Sequence, residues 1–129
     1  MTESCLRLRE KSFAFAVRIV KLVRFLETER NEWVLSKQVL RSGTSIGANV
    51  RESRFAQSTA DYVSKLSIAL KESDETGYWL ELLQETELIT AEQFESLNVD
   101  LNWLIGTLVN IVKASKRKFS AKHPSGAHV

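Results

Sequence analysis

Two glycines four residues apart, Gly43 and Gly47, lie inside a segment that otherwise reads as one continuous helix. Ser42, Ser45 and Ala48 surround them, so the strip is almost free of bulk. Residues four apart share a helix face. Removing two side chains from one face lets a neighbouring backbone approach closely, a logic seen best between membrane helices. Each glycine costs about 1 kcal/mol relative to alanine in a helix interior. Close packing is the expected compensation, and a local kink is the alternative.

The rest of the chain offers that strip helical neighbours. The only proline, Pro124, lies near the end, so nothing before it interrupts a long helix. Leu8, Phe15, Ile19, Leu22 and Leu26 recur at helical spacing and predict a first helix over residues 4–30. Phe13, Ala16, Val20 and Val23 widen its apolar face to roughly half the circumference, more than the stripe of about 100° that one bundle requires. The excess implies a second partner, most simply another subunit. Residues 31–34 form a connection, with Trp33 expected to plug the bundle end. A second helix is predicted over residues 35–56 (Leu35, Val39, Leu40, Ile46 and Val50 apolar) and a third over 59–87, with Ser58 or Thr59 as N-cap. A fourth is predicted over 91–116, with Thr90 and Gln93 as a capping box. With no strand pattern, the expected fold is all-α: an antiparallel up-down-up-down four-helix bundle over residues 1–118, assembling as a ring-like homo-oligomer, with a polar, flexible tail at 119–129.

A length of 129 residues fits one domain. Cys5 is the sole cysteine, which excludes an intrachain disulfide and fits a reducing compartment. Charges run through residues 1–30, leaving no secretory signal, and the longest apolar stretch, residues 101–112, is too short for the roughly 20 residues of a membrane span. A soluble, cytoplasmic protein with no membrane partner is expected. The net charge of +2 conceals a segregation: +5 over residues 1–58, −8 over 59–112 and +5 over 113–129. Such asymmetry points to a basic face for polyanions or to head-to-tail attraction between subunits.

Few residues invite chemistry. Glu72 and Glu75, with Asp74 between them, resemble a metal site, but carboxylate bundles that bind metals need Glu-x-x-His pairs on facing helices. The only histidines, His123 and His128, fall in the tail. The pair therefore reads as a solvated or salt-bridged face, and neither a metal nor another cofactor is expected. The lack of a histidine base in the bundle also argues against Ser-His-Asp and Cys-His catalysis. Residues 43–47 lack the Gly-Lys-Ser/Thr ending of a phosphate loop and follow no strand. Asn49 and Glu52 read either as a buried polar clasp fixing helix register or as a ligand contact.

The remaining candidates are basic. Arg7, Lys11, Arg18 and Lys21 fall on the side of the first helix away from its apolar face. Arg41, Arg51 and Arg54 lie on the second, and Lys113, Lys116, Arg117, Lys118 and Lys122 near the end of the chain. Together they form a candidate phosphate-contacting set.

Ser-Phe-Ala-Phe-Ala at 12–16, Leu-Arg-Ser-Gly-Thr-Ser-Ile-Gly-Ala-Asn-Val-Arg-Glu at 40–52 and Lys-Leu-Ser-Ile-Ala-Leu-Lys-Glu-Ser-Asp-Glu-Thr-Gly-Tyr-Trp-Leu at 65–80 complete the motifs. Over about residues 8–118 the chain resembles the four-helix-bundle proteins encoded in intervening sequences of bacterial large-subunit ribosomal RNA genes. The resemblance implies a homopentamer with a central channel. It also implies a relation to accessory proteins of diversity-generating retroelements, basic pentamers that bind nucleic acid and a reverse transcriptase. It implies no enzymatic activity. Its motif positions, Gly43, Gly47, Asn49, Glu52, Lys65, Glu72, Glu75 and Trp79, carry over as structural signatures.

The function expected from the residues and the resemblance is a non-enzymatic homo-oligomer, pentameric by the resemblance, that binds RNA or DNA through repeated basic surfaces. A protein-interaction scaffold with no nucleic-acid ligand is the alternative.

Overall fold

In the computed structural model, which describes residues 2–122, four helices account for most of the chain: α1 (Glu3–Glu29), α2 (Leu35–Ser53), α3 (Thr59–Glu85) and α4 (Ala91–Lys122). The start of each helix has a local cause. Thr2 caps α1 by accepting from the Cys5 N–H at 3.1 Å. Past α1 the chain turns at Asn31, whose positive φ of 52° suits asparagine. Val34 offers α2 no side-chain cap, and Glu32 takes that role, its carboxylate accepting from the backbone N–H groups of Ser36 at 2.8 Å and Val34 at 3.2 Å. Ser58 caps α3 through the Asp61 N–H, and Asp61 returns a bond to the Gln57 N–H. Thr90 and Gln93 form the expected reciprocal box at 3.1 and 2.8 Å.

The helices pack in cyclic order, α1 on α2, α2 on α3, α3 on α4 and α4 back on α1. Fully buried Phe15, Ile19, Val39, Ile46, Leu66, Leu80, Leu101 and Leu108 bring all four into one core. Two connections share one end of the bundle, where Arg30 beside the first donates to the Leu88 carbonyl in the other. The turn between α2 and α3 lies at the opposite end, against the first turns of α1 and residues 111–118 of α4.

The small-residue strip is accounted for by α1. A Cβ on Gly43 would stand 2.8 Å from Ile19 Cγ1, and one on Gly47 would stand 3.2 Å from the Ser12 carbonyl oxygen. The helix stays unbroken, so close packing, not a kink, is what the glycines serve. On the α3 side, Ser42 and Thr76 meet through buried hydroxyls at 3.0 Å. Among the described residues no buried side-chain nitrogen or oxygen lacks a hydrogen-bond partner.

Three expectations change. Trp33 is not a plug: it is 55% exposed, because Leu26, Leu83 and Ile89 already close that end of the core. Helix α4 does not stop near Lys116 but runs to Lys122, so the boundary drawn at 118 cuts a continuous helix; residues 123–129, with both histidines, lie outside the described residues. Helix α2 ends three residues early, at Ser53.

The surplus apolar surface of α1 is present. Leu6, Phe13 and Val17 are exposed on its outward face, Phe13 by 60%, while Ala16 and Val20 are half-buried and Val23 joins the core. Among the described residues no helix is long and apolar enough to cross a membrane.

Candidate nucleic-acid interface

Folding turns the charge segregation along the chain into a segregation between the two ends. The end that holds the α2–α3 turn gathers Arg7, Arg9 and Lys11 from α1, Arg51 and Arg54 from α2, and Lys113, Lys116, Arg117 and Lys118 from α4. The other gathers Glu27, Glu29, Glu32, Glu81, Glu85, Glu87, Glu92 and Glu95 around its two connections. The basic end draws on α1, α2 and α4, and the acidic end on α1, α3, α4 and the connections between them.

The basic candidates split by what they touch. Arg41 is committed to the protein: it bridges Glu72 at 2.7 Å and also Glu75, while the Trp79 indole N–H donates to the same Glu75 carboxylate at 3.2 Å. The indole and then Arg41 hold the Glu75 carboxyl below its usual range, and Glu75 and then Glu72 push the Arg41 guanidinium further up. Arg41 and the three motif positions Glu72, Glu75 and Trp79 thus form one strut between α2 and α3. Glu72 and Glu75 are a salt-bridged face, and among the described residues no group of three or more His, Cys, Asp or Glu could hold a metal ion.

Arg18 is likewise occupied. Its guanidinium donates to the Ser96 carbonyl, the Ser96 hydroxyl and Asp100, the last at 2.7 Å, tying α1 to α4. Lys21 shares a shallow groove of about 570 Å3 with Arg18, Phe25 and Glu92. Arg7 and Lys11 lie over the Trp103 ring, at 5.7 and 5.1 Å from its centroid. These four basic residues therefore flank the α4 seam, and the side of α1 facing away from the core carries Leu6, Phe13 and Val17 instead.

Arg51 and Arg54 are exposed on the last turn and cap of α2, with Arg54 5.0 Å over the Phe55 ring. Lys113, Lys116, Arg117 and Lys118 are exposed on successive turns of α4. None of these six pairs with a described carboxylate.

Asn49 and Glu52 are not a buried clasp. The half-buried Asn49 amide donates to the Ser45 carbonyl of its own helix, and Glu52, 58% exposed, bridges Lys65 at 3.2 Å. One turn of helix carries Glu52 past the buried Ile46–Val50 stripe to the α3 flank.

Two residues of the basic end escaped the sequence reading. Arg9 lines the cavity at that end, and its position two residues beyond Arg7 puts it on another helix face, which the grouping of α1 cations overlooked. Trp103 gives Arg7 and Lys11 their ring, and its place one residue before the buried Leu104 marks it as the edge of the α4 stripe.

A family model described as 23S rRNA-intervening sequence protein matches residues 5–110. No curated protein matches the chain. Among solved structures, a protein of unknown function from the S23 ribosomal protein family of Bacteroides thetaiotaomicron, determined at 1.70 Å, is 56% identical. The match covers 85% of this chain and 98% of that one, with a TM-score of 0.84.

Proposed function

This chain belongs to the 23S rRNA-intervening sequence protein family, and from that premise we propose that it is a non-enzymatic, homo-oligomeric bundle that binds RNA or DNA by phosphate contacts at its basic end. The observation that carries the reading is the gathering of Arg51, Arg54, Lys113, Lys116, Arg117 and Lys118, all exposed and none in an ion pair with a described carboxylate, at the end away from the acidic connections. Cations already paired with internal carboxylates gain little from a phosphate; among the described residues these six give up no carboxylate by meeting one. Arg18 and Arg41 leave the contact set for the same reason.

The antiparallel course of the helices is supported by the sharing of one end by the first and third connections and by the pairing of Arg7 with Trp103 and Arg18 with Asp100. Association of copies, in a pentameric ring by family resemblance, is supported by the exposed stripe of Leu6, Phe13 and Val17. Leu6 and Phe13 border a small groove with Gly47, Val50 and the charged Arg9, Glu10 and Arg51. A ring repeats the basic end several times about one axis, which turns weak individual contacts into avidity. The exposed pair Trp33 and Val34 at the acidic end favours a second role in docking a protein partner such as a reverse transcriptase.

The test is affinity for a generic single-stranded RNA as a function of salt. The logarithm of affinity falls linearly with the logarithm of salt concentration, and Lys116→Glu with Arg117→Glu weakens binding uniformly across sequences while flattening that slope. Absence of binding at low salt, or binding indifferent to salt, contradicts the reading.

A further inference from the structure

The basic end holds a half-open cavity of about 730 Å3, within the size range of small-molecule sites. Its floor is aliphatic: Leu8, Val50 and Leu66 are buried there and Ile111 half-buried. Its charged lining is Arg9, Arg54 and Lys118, and no aspartate or glutamate among the described residues lines it. The N-caps of α1 and α3, Thr2 and Ser58, also line it, so the positive ends of two helices face the same space. Asp61, the acid of the first α3 turn, is instead bonded to the Gln57 backbone. The end of α2 contributes the opposite dipole, and there Arg54 stands as the C-cap.

We propose that this cavity binds a small amphipathic anion, a medium-chain aliphatic carboxylate, with its tail against the accessible Ile111 and Ala114 of the aliphatic lining and its head between Arg54 and Lys118. Lining cations without lining acids select an anion over a neutral or cationic ligand. The floor favours an apolar tail, because the side chains of Leu8, Val50, Leu66 and Ile111 carry no polar group. Tyr62 is the one aromatic residue among the described lining residues, and its hydroxyl lies 3.6 Å from Cys5 Sγ. This inference does not depend on nucleic-acid binding, since either ligand can be measured without the other.

The experiment is calorimetric titration of the full chain with hexanoate, octanoate, octylamine and inorganic phosphate, each below self-association. Octanoate saturates at one per chain and binds more tightly than hexanoate, by roughly three- to fourfold per added methylene. Octylamine binds at least tenfold more weakly than octanoate. Arg54→Glu combined with Lys118→Glu, both exposed and clear of the core, weakens octanoate at least tenfold while circular dichroism stays unchanged. The proposal is overturned if octylamine matches octanoate, if no saturation is reached, if phosphate alone binds as tightly as octanoate, or if the double variant retains full affinity.

Discussion

Gly43 of α2 lies so close to Ile19 of α1 that a Cβ added to the glycine would stand 2.8 Å from Ile19 Cγ1 and 2.9 Å from Cγ2. Ile19 is fully buried and branched at Cβ, so it has little rotamer freedom with which to yield. Gly43→Ala gains about 1 kcal/mol in helix propensity and incurs overpacking strain of about 1–3 kcal/mol. The expected net result is destabilisation by up to about 2 kcal/mol in urea unfolding.

Gly106 is the internal control. A Cβ there meets nothing within 4 Å, so Gly106→Ala stabilises the protein by up to about 1 kcal/mol through propensity alone. Opposite signs for the two glycine-to-alanine changes, read from midpoints at unchanged slope, check the packing account of α2.

The strut formed by Arg41, Glu75 and Trp79 predicts an acid-side loss of stability. The Glu75 carboxyl is held below its ordinary 4.5, first by the Trp79 indole N–H and then by Arg41. A depressed carboxylate stabilises the fold above its unfolded-state value and loses that contribution as pH falls through the folded one. Wild type exceeds Glu75→Gln in stability at neutral pH, by under about 1 kcal/mol for so exposed a pair. The gap closes as pH drops below 4.5. A gap that persists in acid contradicts the role of the charge.

Tyr62 ionises late. Burial and then the hydrogen bond with Cys5 push its phenol up to about 12. A raised pKa leaves the contribution to stability intact below the ordinary value of 10.0 and removes it as pH rises toward 12. In a Tyr78→Phe background, where Tyr62 is the only tyrosine, absorbance titration shows no phenolate at pH 10. Cys5→Ala lowers the midpoint.

Most of the fold was legible because its signals are local and periodic. Leu8, Phe15, Ile19, Leu22 and Leu26 needed only spacing to be recognised, and all five are buried; Thr90 and Gln93 needed only a capping pattern. Trp33 was misread because size and hydrophobicity alone suggest burial, whereas its exposure depends on other residues having already closed the bundle end. Glu32 as the cap of α2 was missed because its carboxylate acts from outside the helix it starts. Among the site candidates, Arg18 and Arg41 are indistinguishable in sequence from Arg51 and Arg54. Only their neighbours across helix seams, Asp100 and the Glu72–Glu75 pair, separate committed cations from available ones. The charge blocks along the chain were legible, but their conversion into a basic and an acidic end required knowing which connections meet.

The central claim is that the outward stripe of α1 joins copies of this chain. Sedimentation equilibrium at micromolar concentration, on the wild type and on Phe13→Glu, tests it most directly. The account predicts a wild-type particle several times the 14.7 kDa chain mass, five times in the pentameric case, and dissociation in Phe13→Glu without loss of helix. A wild type that sediments as a single 14.7 kDa chain contradicts it.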